Sequence, residues 1–219
     1  MFWGEEIFKD RADAGRRLAG SLARYRNEGP TILALPRGGV PVGYEISRSL
    51  GAPLDVIVAR KLGAPDQPEL GIGAVAPDGV RILNTAAVRA IGISKDYLDK
   101  ITRKETAEMK RRLRHFRGDR PELEIRGRTA ILVDDGLATG VTARAAIETL
   151  RRRNPKRVVL AVPICAAPTA AWIRNEVDDL VSLKTPPELG AIGLWYRNFD
   201  QTSDAEVVRL LEDARRTIG

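Results

Sequence analysis

Sulfur and imidazole are nearly missing from this 219-residue chain: Cys165 is its one cysteine and His115 its one histidine. A disulfide-stapled framework needs cysteines in pairs and is excluded. A Cys/His zinc centre is equally remote, because those two residues stand far apart in the sequence. Nucleophilic catalysis of the Ser–His or Cys–His kind would have to use His115, which lies inside a run of arginines. Aromatic residues make up only 5% of the chain. Long apolar runs are lacking too: the longest uncharged stretch, residues 158–173, is interrupted by Pro163 and Pro168 and falls short of a membrane span. The segment Met1 to Asp10 is acidic and has no long apolar core, which predicts no secretory leader and a cytoplasmic protein with no membrane partner.

What is present is an ordinary folded composition, 43% hydrophobic and 30% charged, which argues against disorder. Lys and Arg number 36 against 29 Asp and Glu, a net charge of +7. That excess points to an anionic partner, either a phosphorylated small molecule or nucleic acid, without choosing between them. No internal repeat, low-complexity tract or linker divides the chain, so residues 1–219 read as one domain.

Periodicity predicts a helix over residues 10–26 with Asp10 as N-cap, then a short apolar strand at 31–35 ended by Pro36-Arg37-Gly38-Gly39. A helix over 40–50 closes at Gly51. Residues 54–59 (LDVIVA) form a continuous apolar run, as expected of a strand covered on both faces. Two apolar runs at 71–76 and 80–83 flank Pro77-Asp78-Gly79 and predict a hairpin. A long basic helix over 94–116 follows, then strands at 129–133, 157–163 and 180–183 alternating with helices at 141–153, 169–177 and 203–217. Strands alternating with helices imply right-handed crossovers and a mainly parallel α/β sheet flanked by helices. Such sheets bind ligands beyond the carboxyl ends of their strands, so the informative residues should follow each strand.

The strongest signal is the run Ala130-Ile131-Leu132-Val133-Asp134-Asp135-Gly136-Leu137-Ala138-Thr139-Gly140-Val141-Thr142. A buried strand enters paired carboxylates, a turn of small residues and a helix N-terminus. Free N–H groups at the helix start suit a phosphate, Gly140 lets the backbone approach it, and Thr139 and Thr142 add hydroxyl donors. Asp134 and Asp135 would repel that phosphate. They should face neutral hydroxyls, and a ribose offers two, at ~1.5–3 kcal/mol per charge-assisted bond.

Four apolar residues, two acids, three variable positions and Thr-Gly-x-Thr together resemble the phosphoribosyl pyrophosphate (PRPP) motif of the type I phosphoribosyltransferases. Leu35-Pro36-Arg37-Gly38-Gly39 resembles that family's pyrophosphate loop. Arg60-Lys61 is similar to a basic pair that reaches pyrophosphate in several members, sometimes across a dimer interface. The resemblance covers roughly residues 31–183. It implies a core over about 31–183, an insertion over about 63–125, and an acceptor-covering hood over about 184–202 together with the N-terminal segment. The activity it implies is transfer of a 5-phosphoribosyl group from PRPP to a nucleobase or related nitrogen nucleophile, with pyrophosphate leaving and inversion at C1′.

On that resemblance Asp134 and Asp135 hold the ribose hydroxyls and a Mg²⁺ cofactor, directly or through water. Leu137, Ala138, Thr139, Gly140, Val141 and Thr142 take the 5′-phosphate. Arg37, Gly38, Gly39 and Lys61 take pyrophosphate, with Asp134, Asp135 and Arg37 as the catalytic set. The partners expected are PRPP, a small-molecule acceptor and a second copy of the chain in a homodimer. Ala138 departs from the aspartate typical of 6-oxopurine enzymes, which weakens hypoxanthine or guanine as acceptor. The hood, residues 189–199, offers Trp195 or Tyr196 for stacking on a planar base, with core or dimer contact as the other role for the same rings. Asn198 stands where an acid might be expected. Between 59 and 129 no lid pattern is recognisable, and Arg81 is the one residue singled out there. The basic segment 103–128, including Lys110, Arg111, Arg112, Arg114 and Arg117, keeps a second reading open, a PRPP-sensing regulator that binds nucleic acid. Interspersed Glu105, Glu108, Asp119, Glu122 and Glu124 favour a solvated amphipathic helix instead.

Overall fold

The computed structural model describes residues 7–218. Residues 1–6, part of the leader reading and of the predicted N-terminal hood, lie outside the described residues. In chain order the elements are α1 (Arg11–Leu22), β1 (Thr31–Ala34), α2 (Gly39–Leu50), β2 (Leu54–Val56), β3 (Arg60–Ala64), β4 (Gln67–Ala76), β5 (Val80–Leu83), α3 (Thr85–Ile91), α4 (Lys95–Arg117), β6 (Thr129–Val133), α5 (Val141–Arg152), β7 (Arg157–Ile164), α6 (Ala167–Ile173), β8 (Asp179–Lys184) and α7 (Asp204–Ile218). Short 3₁₀ turns lie at Ala23–Glu28 and Ile192–Trp195.

Five strands form a parallel sheet in the order β2-β1-β6-β7-β8. Its central strands are largely apolar on both faces because alternate residues serve different helical layers. Ile32, Ala34, Ile131, Val133, Val159 and Ala161 pack with Leu18 and Leu22 of α1, Ile46 of α2 and Val207 and Leu211 of α7. Leu33, Leu132, Val158 and Leu160 face Ala143 and Ile147 of α5 and Ile173 of α6. Each fully buried Leu, Ile or Val contributes ~1.5–3 kcal/mol, so these two layers dominate the fold's stability. The predicted cap is present: the Asp10 side chain accepts from the Asp13 N–H at the start of α1.

The excursion between β2 and β6 builds a second, antiparallel sheet in the order β3-β4-β5. The predicted hairpin is β4–β5, turning at residues 77–79. The strand expected over 54–59 is shorter: β2 ends at Val56, and Arg60-Lys61 open β3 rather than a loop. The long helix α4 serves both units. Its N-terminal half packs Tyr97, Leu98 and Ile101 on Leu62, Ile72 and Val75 of the small sheet, while Met109 and Phe116 join the main core. No described helix is long and apolar enough to cross a membrane.

Candidate active site

Chain order in the main sheet reverses between β1 and β6: from β1 the chain moves one way to β2, from β6 the other way to β7 and β8. At such a switch point the loops after the two strands diverge and leave a crevice at their carboxyl ends. Here those loops are residues 35–39 and 134–140, two of the segments that sequence alone singles out.

They touch. A Cβ added at Gly38 would stand 2.0 Å from Asp135 Oδ2, and one at Gly39 would stand 2.6 Å from the Val133 carbonyl oxygen and 3.0 Å from Asp134 Cα. The pair of glycines is therefore required for close approach of one loop to the other. At Gly39 the obstacles are backbone and cannot swing aside. Gly39→Ala should cost ~1–3 kcal/mol of stability from overpacking, read as a lowered denaturation midpoint; an unchanged midpoint would contradict the packing described. The Pro36–Arg37 peptide bond in this loop is cis.

The loop at 134–140 is stitched to the end of β7 by the Leu137 N–H to the Ile164 carbonyl at 2.9 Å and the Ala166 N–H to the Leu137 carbonyl at 2.9 Å. The Thr169 hydroxyl donates to the Ala138 carbonyl. Gly140 adopts φ +71°, and a Cβ there would meet the Trp172 ring at 2.8 Å. Ala138 and Thr139 are exposed and Thr142 is half-buried. No side chain caps the first turn of α5, so its leading N–H groups keep their donors for an anion. A cleft of about 370 Å³ adjoins this corner, lined by Asn84, Thr85, Thr139, Val141, Arg144 and Trp172 among others.

Asp134 and Asp135 follow β6 directly and are half-buried. Crowding by protein pushes the Asp134 carboxyl well above the usual carboxylate range, and the neighbouring Asp135 charge pushes the same way. Burial also raises Asp135, against the lowering pull of the Arg11 guanidinium. Arg11 Nε donates to Asp135 Oδ2 at 2.8 Å, and the Asp135 N–H donates to Asp134 Oδ1 at 2.9 Å. Two perturbed acids beyond the carboxyl end of a central strand make this corner the candidate site. Cys165, beside the loop, has its thiol pushed up to about 11 by burial and is not a nucleophile at neutral pH.

The remaining predicted residues are placed differently. Arg37 follows β1 as expected, but Nη1 pairs with Asp204 Oδ1 at 3.4 Å, at the start of α7. Lys61 Nζ binds Glu69 at 2.9 Å across the β3–β4 hairpin and lines a separate pocket there with Arg60 and Lys104. Arg81 pairs with Asp99. The stacking expectation for Trp195 and Tyr196 needs correction. Both rings are buried with Phe8 and Leu189, the Trp195 indole N–H donates to the Leu189 carbonyl, and the Tyr196 hydroxyl donates to the Asp135 carbonyl at 2.6 Å. Neither presents an exposed face to a base; the apolar side chain that does stand exposed in this segment is Leu194. Of the basic residues on α4, Arg111 and Arg112 both bind Glu108 and Arg117 is buried. Sequence reasoning missed Arg11, because 124 positions separate it from its partner and α1 carries no motif.

The profile of the family described as phosphoribosyl transferase domain matches residues 4–187. A Mycobacterium tuberculosis protein provisionally named a phosphoribosyl transferase is 48% identical over 211 residues, covering 96% of this chain and 48% of the relative. The chain thus spans about half the length of the curated relatives it matches. The crystal structure of TT1426 from Thermus thermophilus superposes with a TM-score of 0.80 at 36% identity, over 94% of this chain and 98% of the other. AQ2163 from Aquifex aeolicus shares the fold at a TM-score of 0.50 and 11% identity, over 92% of this chain and 84% of that one.

Proposed function

The chain belongs to the phosphoribosyl transferase domain family, and we propose that it binds PRPP at the β1/β6 switch point and transfers the 5-phosphoribosyl group, in the cytoplasm, to a nitrogen nucleophile such as a nucleobase. The observation that carries the reading is the contact between the Gly38-Gly39 loop and the Asp134-Asp135 pair beside an uncapped helix N-terminus. One polyanion with a sugar in its middle fits these three features at once.

In this reading the α5 amides and the Thr139 and Thr142 hydroxyls hold the 5′-phosphate. Asp134 and Asp135 accept from the ribose 2′- and 3′-hydroxyls. The Gly38 amide meets the pyrophosphate, since the Gly39 N–H is held by the Leu35 carbonyl at 3.0 Å; Arg37 joins it once its guanidinium leaves Asp204, and Lys61 supplies a further cation from its hairpin, within one subunit or across a homodimer. Fixing the sugar between its two anionic ends holds C1′ open to the acceptor, so catalysis is mainly positioning and stabilisation of the departing charge. Among the described residues no three acidic, His or Cys side chains cluster into a cage, whereas two adjacent carboxylates suit a hard ion that brings most of its ligands with substrate and water. Mg²⁺ fits that description; Asp134 and Asp135 would hold it, and bound there it would neutralise charge on the leaving pyrophosphate.

Pyrophosphate release measured with PRPP and Mg²⁺ across a panel of purine, pyrimidine and simple amine acceptors tests the activity. Turnover with one acceptor class is expected. No release with any acceptor, together with salt-sensitive RNA binding modulated by PRPP, would instead favour a sensing regulator. Thr139→Val should weaken affinity for ribose 5-phosphate by ~0.5–1.5 kcal/mol, the worth of one hydrogen bond. Equal affinity in variant and wild type would remove Thr139 from the phosphate site.

A further inference from the structure

We propose that Arg11 is the positioning residue of the sugar site: it fixes the Asp135 carboxylate for its ribose contact and ties that contact to the hood. The inference rests on the assignment of Asp135 to the ribose.

Three different parts of the guanidinium are engaged. Nε donates to Asp135 Oδ2 at 2.8 Å, Nη1 donates to the Asp200 carbonyl at 2.7 Å, and the planar face lies 3.9 Å from the centroid of the Phe199 ring. Edge, terminal nitrogen and π-face together leave the group one orientation. Both partners of the ion pair are shielded, with side-chain exposures of 12% and 14%. An ammonium could supply the charge but neither the fork nor the stack.

The surroundings narrow Asp135 further. Its carbonyl accepts the Tyr196 hydroxyl, and the Gly38 backbone closes on Oδ2, where a Cβ would stand at 2.0 Å. With Oδ2 taken by Arg11, Oδ1 is the oxygen left for a ligand hydroxyl. Arg11 also answers a charge problem. Two adjacent carboxylates beside a polyanionic donor repel it, and one guanidinium at the back of the pair offsets half of that charge. Because the same arginine grips Phe199 and Asp200, the hood and the sugar-binding acid move as one unit. Phe8 extends this coupling to the N-terminal segment: its N–H binds the Trp195 carbonyl at 2.9 Å and its carbonyl accepts from the Arg197 N–H at 2.8 Å.

The test is a double-variant cycle on PRPP affinity, measured by calorimetry with Mg²⁺ on wild type, Arg11→Gln, Asp135→Asn and the double variant. Arg11→Gln is expected to weaken binding by ~10-fold or more, with Arg11→Lys recovering only part of the loss, while in the Asp135→Asn background Arg11→Gln adds less than about 2-fold. Wild-type affinity in Arg11→Gln, or the same loss in both backgrounds, would overturn the assignment and leave Arg11 a structural tie. If Arg11→Gln does not fold, Phe199→Leu, which keeps the ion pair and removes the stack, should show a smaller loss that likewise vanishes with Asp135→Asn; an undiminished loss there overturns it. A wild type that binds no PRPP would overturn the ribose reading and this assignment with it, whereas binding with additive losses overturns this assignment alone.

Discussion

Arg117→Met is expected to destabilise the protein by about 3–5 kcal/mol, the cost of leaving one member of a buried ion pair without its partner. Asp55, on β2, is 1% exposed and Arg117 is 7% exposed. Arg117 Nε lies 3.1 Å from Asp55 Oδ2, and Nη2 donates to the Val56 carbonyl at 3.0 Å and to Glu122 Oε1 at 3.2 Å. Glu122 in turn binds Arg153, and Arg153 binds Asp78 at the β4–β5 turn. The chain of charges therefore joins the edge of the main sheet, the end of α4 and the small antiparallel sheet. Removing Arg117 strands the Asp55 carboxylate inside the core. For a chain of this length the loss corresponds to a fall in melting temperature of roughly 6–20 °C. Arg117→Met/Asp55→Leu should recover most of it, since apolar replacement of both partners leaves no buried charge. A single variant that melts with wild type would show that Asp55 finds water or another partner.

Neutralising the acid pair has the largest expected functional effect. Asp134→Asn/Asp135→Asn should weaken PRPP binding by ~3–6 kcal/mol, two charge-assisted bonds at ~1.5–3 kcal/mol each, or at least ~100-fold in Kd. The single variants should differ in stability. Asp134 is crowded and repelled by Asp135, so Asp134→Asn relieves an unfavourable charge and should raise the melting temperature. Asp135 is also raised by burial, but the shielded Arg11 guanidinium offsets part of that cost, so Asp135→Asn should raise the melting temperature less than Asp134→Asn or leave it unchanged. Thermal melts of the two variants side by side check the contrast; an equal rise in both would mean that Asp135 gains nothing from Arg11. Stability given up at Asp134 for the sake of a ligand is the expected signature of a binding site.

The parallel core was legible because the physics that builds it is local. Runs such as residues 130–133 are apolar at every position, which a doubly covered strand requires, and Asp10 and Gly51 sit where helix caps require them. The acid-to-threonine corner was legible for the same reason: its strand, turn and helix start are contiguous in sequence. What escaped depends on distant contacts. Strand β3 (Arg60–Ala64) opens with two charges and holds a glycine, so it shows no alternation until β4 pairs with it. Helix α3 (Thr85–Ile91) is short and buries no residue. Trp195 and Tyr196 could serve a ligand or a core equally well by composition, and their burial against Phe8 decided the matter. Arg11 gave no signal at all, since its role exists only once α1 packs on the sheet face and brings its first turn to the loop after β6.

Soaking PRPP and Mg²⁺ into crystals of the protein decides whether the acid-to-threonine corner is the donor site. The 5′-phosphate is expected on the amides of residues 138–142, the Leu137 N–H being taken by the Ile164 carbonyl, with the ribose hydroxyls within hydrogen-bond distance of Asp134 and Asp135. PRPP bound elsewhere, or that corner left empty at saturating ligand, would contradict it.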